Sequence, residues 1–400
     1  MRAVYKWSLL ATVFAPLGLL ACADLLGFQR LTFEAPDGSK PQDAPTTTVE
    51  PDGAPPPECF SLGLPQKPDV PDRPIEKEMV VALSQFDIGV PDEAGVTRPV
   101  GLNLDLACTA TRPETTCAIG ASDPDFDKYV KDKTRGVDNA GFGLIELLGA
   151  SYEPLSAKGI NQRLREGKFG LVAVIAKYDG TPNDPSVVVR IFPALGVEPR
   201  FVDAGSDADA TPEPDAAPYF DENDRWVFDR DYAQLEGDDG YTKLVSRDAY
   251  VRDGRLVASF ESLAVGVSFP NNERALTIRL VEAYLTGTIT VIGDKPQIRG
   301  GVIAGRWPFA EALASVNELL INVPILPGLT PLCKTPVRDT VKSALCGARD
   351  LSASSSLKDP REPCAAFSVG IGFEASPAGF GTGRRPLEAG TVCGDVGLCN

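Results

Sequence analysis

The chain has no histidine among its 400 residues. That absence removes the commonest general base, the Ser-His-Asp and Cys-His arrangements, and every histidine-containing zinc site. Chemistry built on carboxylates alone, as in many glycoside hydrolases, survives this cut. Positive charge is also scarce, with 39 Lys and Arg against 55 Asp and Glu and a formal charge of −16. This argues against a nucleic-acid partner, because such a protein gains affinity by neutralising phosphates and no basic run is concentrated here. There is no C-x-x-C pair, which disfavours a cysteine zinc site. The largely apolar run Trp7–Leu20 has 14 residues, short of the roughly 20 that a spanning helix needs.

What is present points to a folded, β-rich body. Hydrophobic residues make up 43% of the chain, enough to bury a core, and 35 prolines with 38 glycines suit short strands joined by turns. Arg2 and Lys6 precede the apolar run as a positive flank, the layout of a targeting segment over residues 1–21. Leu19-Leu20-Ala21-Cys22 at its end resembles the lipobox of bacterial lipoproteins. The resemblance implies cleavage before Cys22, acyl chains such as palmitate on that cysteine, and the lipid bilayer as a partner. Ala23 rather than Asp follows Cys22, so the expected location is the cell envelope, at the outer membrane rather than the inner. Loss of Arg2 and Lys6 would leave 37 basic residues against 55 acids, a charge of −18.

Eight further cysteines remain: Cys59, Cys108, Cys117, Cys333, Cys346, Cys364, Cys393 and Cys399. An even number in an exported chain suggests four disulfides. Proximity favours Cys108 with Cys117, and Cys346 with Cys364 or Cys333.

Residues 22–75 read as the lipidated N-terminus and a tether, since from Glu34 to Pro74 proline alternates with Asp, Thr and Gly and too little apolar surface is available to fold. The domain is expected over 76–400. Met79–Leu83 reads as a buried strand, and the alternating Leu102–Leu106 as a half-buried strand closed by a short disulfide loop. Gly143–Leu148 and Ile160–Arg165 suggest short helices. Leu171–Ala176 and Val187–Phe192 flank a turn-rich stretch and read as a hairpin. Residues 202–224 form an acidic insertion expected to be disordered, with eight acids and no base over 201–224. Asp253-Gly254 is the strongest short hairpin signal. Leu276–Leu280 and Thr286–Ile292 alternate. Trp307–Ile321 has the period of a helix, and Phe367, Val369, Ile371 and Phe373 share one face of a late strand. The sum favours an antiparallel β-sandwich or jelly roll with a few short helices, stapled by disulfides.

No motif carries catalysis. Ala366–Gly370 is one residue from the G-x-S-x-G elbow, but Ser368 has no histidine to take its proton and sits in an alternating strand. Ser355–Lys358 has S-x-x-K spacing without a K-T-G partner and reads as a surface loop. Gly300–Arg306 lacks the G-K-[ST] ending of a phosphate loop and reads as a glycine-eased strand. Asp123, Asp125 and Asp127 alternate as in calcium loops, yet an EF-hand would need glycine where Lys128 stands and glutamate where Thr134 stands. A looser calcium site on those residues, on Asp138 and Asn139, or on Asp221, Asn223 and Asp224 is the one cofactor left open.

The body resembles uncharacterised exported lipoproteins in several motifs. These are N-L-D before a cysteine pair (Asn103–Cys117), G-V-D-N (Gly136–Asn139), a tryptophan after an acidic turn (Trp226) and C-x-x-x-S (Cys364–Ser368). The resemblance implies no particular activity. The expectation is a non-enzymatic surface or ligand-binding module, with glycan or an envelope protein as partner. The alternative is a carboxylate-dependent carbohydrate-active enzyme.

Overall fold

The computed structural model describes residues 61–73, 75, 78–89, 100–107, 117–118, 136–151, 153–199, 217–234, 241–268, 275–293, 295–317, 319–322, 329–336, 338–357, 359–385 and 393. All belong to one compact unit, Pro55–Asn400. Eight long strands follow in order: β1 (Met79–Asp87), β2 (Gly170–Ala176), β3 (Asp184–Val197), β4 (Val245–Arg252), β5 (Arg255–Ser268), β6 (Ala275–Ile292), β7 (Lys295–Pro308) and β8 (Ala366–Pro377). Each pairs antiparallel with the next, and β8 returns to pair with β1, so the sheet closes as an up-and-down barrel. The mainly β, disulfide-stapled class stands, but the pairing of Val187 with Ala249 and of Val81 with Pro377 shuts the sheet on itself instead of splitting it into the two facing sheets of a sandwich. Closure removes the free edges that an open sheet presents.

Local chemistry explains the turns and registers. Asp253 and Gly254 both adopt positive φ, 51° and 78°, the twist that a two-residue hairpin between β4 and β5 requires. Along β7 the alternation separates two environments. Ile303 joins Ile371, Phe373, Leu285, Ile191 and Val81 in the main core. Ala304 turns the other way, into a second cluster with Leu102, Leu104, Leu351 and Ala366. The main core lines the barrel interior with large apolar side chains, as an eight-stranded barrel allows. All seven residues of β2 are buried, because its outer face is also covered. Two short strands, Arg225–Asp229 and Gly379–Arg384, extend the sheet beyond β3, and Phe228 and Phe380 meet Phe192 edge-on there, with ring centroids 5.8 and 4.9 Å away. Trp226 is fully buried beside Gly170.

Among the described residues four α-helices decorate the barrel: α1 (Gly141–Ser151), α2 (Ala157–Arg165), α3 (Phe309–Asn317) and α4 (Arg338–Gly347). Ser156 caps α2 by accepting the Gly159 N–H, and Asn161 on that helix bonds both the N–H and the C=O of Phe86. The helix read as Trp307–Ile321 is shorter than its apolar period suggests. Trp307 and Pro308 remain in β7, paired with Phe367 and Ala366, and Leu320–Asn322 is a strand. The body also begins earlier than Glu76. Leu62 and Leu64 pack on the second cluster, Pro68 is buried, and the Tyr250 hydroxyl donates to the Pro65 carbonyl, so this part of the tether is a strap on the barrel wall. The end of the acidic insertion is ordered too. Asp224 is buried and accepts the Asp221 N–H, while Phe220 packs against Trp226.

Disulfides join Cys117 to Cys364 and Cys333 to Cys393. Both pairings overturn the proximity rule, which put Cys117 with Cys108 and offered Cys364 or Cys333 to Cys346. The fold brings together partners separated by 247 and 60 residues. Cys346 is disulfide-bonded as well. Cys22, Cys59, Cys108 and Cys399 lie outside the described residues.

Candidate functional site

The densest polar chemistry lies on the outer wall of β7 and β8. Trp307 and Phe367 face inward, so their neighbours Arg306 and Ser368, paired across the two strands, face outward. Over them lie three segments, 100–107, 136–142 and 350–357. Arg306 is buried, and each of its nitrogens is engaged. Nε donates to Glu282 Oε2 at 3.0 Å, Nη1 to the Ser352 carbonyl at 3.1 Å and Nη2 to the Leu104 carbonyl at 2.7 Å. A planar guanidinium suits this role, since its donors leave in fixed directions.

Glu282 stands at an irregularity in β6, between Val281 and Tyr284, with φ of 46°. A bulge of this kind re-aims a side chain. Partial burial pushes its carboxyl upward, but hydrogen bonds from Ser354 Oγ and Ser355 N and the Arg306 charge outweigh that and hold it below the ordinary glutamate value.

The other two segments are held by side chains acting on backbone. Asp138 Oδ2 accepts the N–H groups of Leu104 at 2.6 Å and Asp105 at 3.2 Å. Asn139 bonds the Val100 carbonyl and both backbone groups of Gly370 at 2.9 to 3.0 Å. Gly370 is glycine because a Cβ there would lie 2.4 Å from the Val100 oxygen. Ser368 Oγ accepts the Ala140 N–H at 2.8 Å, just before α1 begins, and donates to Asp350 Oδ2. Asp350 Oδ1 accepts the Ser368 N–H at 2.7 Å. Burial raises the Asp350 carboxyl to about 7, against the pull of its Ser368 hydrogen bonds, with the nearby Asp105 charge pushing the same way as burial. The Cys117–Cys364 bridge closes the cluster at its edge, where Cys364 N donates to the Ala118 carbonyl.

Three motifs far apart in sequence, N-L-D, G-V-D-N and C-x-x-x-S, therefore converge on one cap. Leu102–Leu106 is not the strand its alternation suggests. Leu102 and Leu104 do face apolar neighbours, but the Leu104 and Asp105 N–H groups bond a carboxylate instead of a partner strand. Asp350 and Glu282 had no local signal, being two of 55 acids. Arg306 had a faint one, a charge closing the apolar, glycine-rich stretch Gly300–Gly305.

The chemistry of this cap is cohesive. Ser368 and Asp350 stand as a hydroxyl and a carboxylate in contact, but Ser368 has no exposed surface for a substrate to reach. Asp138 and Asn139 are engaged with backbone, and among the described residues no group of three or more acids or cysteines is placed to hold a metal. Asp123, Asp125 and Asp127 lie outside those residues. Asp221, Asn223 and Asp224 form a turn closed by their own side chains. Among the described residues no helix is long and apolar enough to cross a membrane.

Fold and site define a disulfide-bonded, eight-stranded up-and-down barrel with a polar-clasped outer cap. No family model, no curated protein and no solved structure matches the chain.

Proposed function

We propose that this protein is an exported lipoprotein, acylated at Cys22 and held on the bilayer of the cell envelope, whose barrel acts as a non-enzymatic binding module. Its ligand contacts would lie on the outer loops, with glycan as the favoured class. The observation that carries the non-enzymatic reading is the engagement of the conspicuous buried polar groups. Arg306, Asp138, Asn139 and Ser368 all direct hydrogen bonds at the protein's own backbone, while apolar side chains line the barrel. The export reading is supported by the lipobox-like Leu19–Cys22 and by disulfides of long sequence separation, which persist in oxidising compartments. Ala23 after Cys22 favours the outer membrane.

Expression of the wild type and Cys22→Ser in a bacterium with a lipoprotein export system, with a radiolabelled fatty acid, tests the anchor. The wild type should carry label and fractionate with membranes, and the variant should do neither. An unlabelled wild type would overturn the anchor. A glycan array probed with the Cys22→Ser protein tests the ligand class, and turnover of any bound glycan would contradict the non-enzymatic reading.

A further inference from the structure

We infer that the cap over β7 and β8 is an acid-tightened clasp, in which a proton held on Asp350 keeps segments 100–107, 136–142 and 350–357 seated on the barrel wall. The geometry supplies the reason. Four carboxyl groups, Asp105, Asp138, Glu282 and Asp350, crowd a cap in which Arg306 is the one buried cation among the described residues. That guanidinium gives its hydrogen bonds to Glu282 and to two carbonyls, and none to the aspartates. Asp138 is compensated by the N–H groups of Leu104 and Asp105, and Asp105 accepts the Ala107 N–H. The neighbouring Arg349 turns away, with Nε on the Cys346 carbonyl and its guanidinium over the Phe309 ring. Asp350 is supported by Ser368 and by its own backbone N–H, and among the described residues no cation pairs with it, so a charge there is buried without an ion-pair partner among them.

Ser368 couples this proton to the loops. Its Oγ lies between Asp350 and the Ala140 N–H, so the state of the carboxyl is felt where α1 starts. Ionisation places an unpaired charge between β8 and the 350–357 segment and weakens their contact. The folded pKa of about 7 lies above the ordinary 3.8. The folded state thus keeps a proton that the unfolded chain releases, and stability from this group falls as pH rises from about 4 to 7, then levels off.

The test compares thermal unfolding of the wild type and Asp350→Asn from about pH 4 to 8. Asn keeps the site neutral, so the variant should gain on the wild type by roughly 10 °C across the window and hold that gain above it. Parallel pH profiles would overturn the clasp. Should the variant fail to fold, carbon NMR of the aspartate-labelled wild type decides. A buried carboxyl titrating near pH 7, with the Ala140 amide shifting at the same midpoint, supports the proposal. Aspartates that all titrate below about pH 5 refute it.

Discussion

Arg306 and Glu282 meet at 3.0 Å across β6 and β7, the arginine side chain buried and the glutamate one-third exposed. The pair anchors the cap, since Arg306 also holds the Leu104 and Ser352 carbonyls and Glu282 holds Ser354 and Ser355. Arg306→Met should cost about 3 kcal/mol or more in urea unfolding, because it strands two carbonyls and a carboxylate. Arg306→Lys should recover only part of that, lacking the planar fork. Equal stability of all three proteins would remove the clasp from the account.

Gly370 offers a steric test of the same cap. Gly370→Ala puts a methyl 2.4 Å from the Val100 oxygen and 2.6 Å from Gly101 Cα, so backbone must move. A loss of about 1 to 3 kcal/mol is expected, with faster protease cleavage in segment 100–107. A neutral substitution would mean that this segment does not sit on β8.

The strap makes a milder prediction. Tyr250→Phe removes the hydroxyl that binds the Pro65 carbonyl and should cost about 1 kcal/mol. The sensitive readout is hydrogen exchange over residues 61–68, which should quicken. Unchanged exchange there would return the strap to the tether.

How much of this was legible in sequence depended on the range of the interaction. The Asp253-Gly254 hairpin, the β2–β3 hairpin and the shared face of Phe367, Val369, Ile371 and Phe373 follow from local alternation and turn chemistry, and all are present. Barrel closure was not legible, since the β3–β4 and β8–β1 pairings are tertiary and the same alternation would serve a sandwich. The disulfides failed for the same reason. Cys117 is nine residues from Cys108 in sequence, but parallel pairing with Asp359–Pro363 brings it to Cys364. The cap was visible only as unexplained motifs, because its meaning requires Asn103, Asp138 and Ser368 to share one wall.

Removing the Cys117–Cys364 bridge by double substitution to serine should destabilise the protein by about 2 to 5 kcal/mol, since it closes a separation of 247 residues. Single and double variants should lose comparable stability. A double variant as stable as the wild type would show that the bridge is dispensable to the cap.

The most direct measurement is the intact mass of the protein from its native membrane fraction, before and after reduction, followed by non-reducing peptide mapping. The account predicts a chain beginning at Cys22 with acyl chains attached, gaining about eight hydrogens on reduction, with Cys117 linked to Cys364 and Cys333 to Cys393. An unprocessed chain with free thiols would contradict the exported, lipid-anchored and disulfide-stapled barrel.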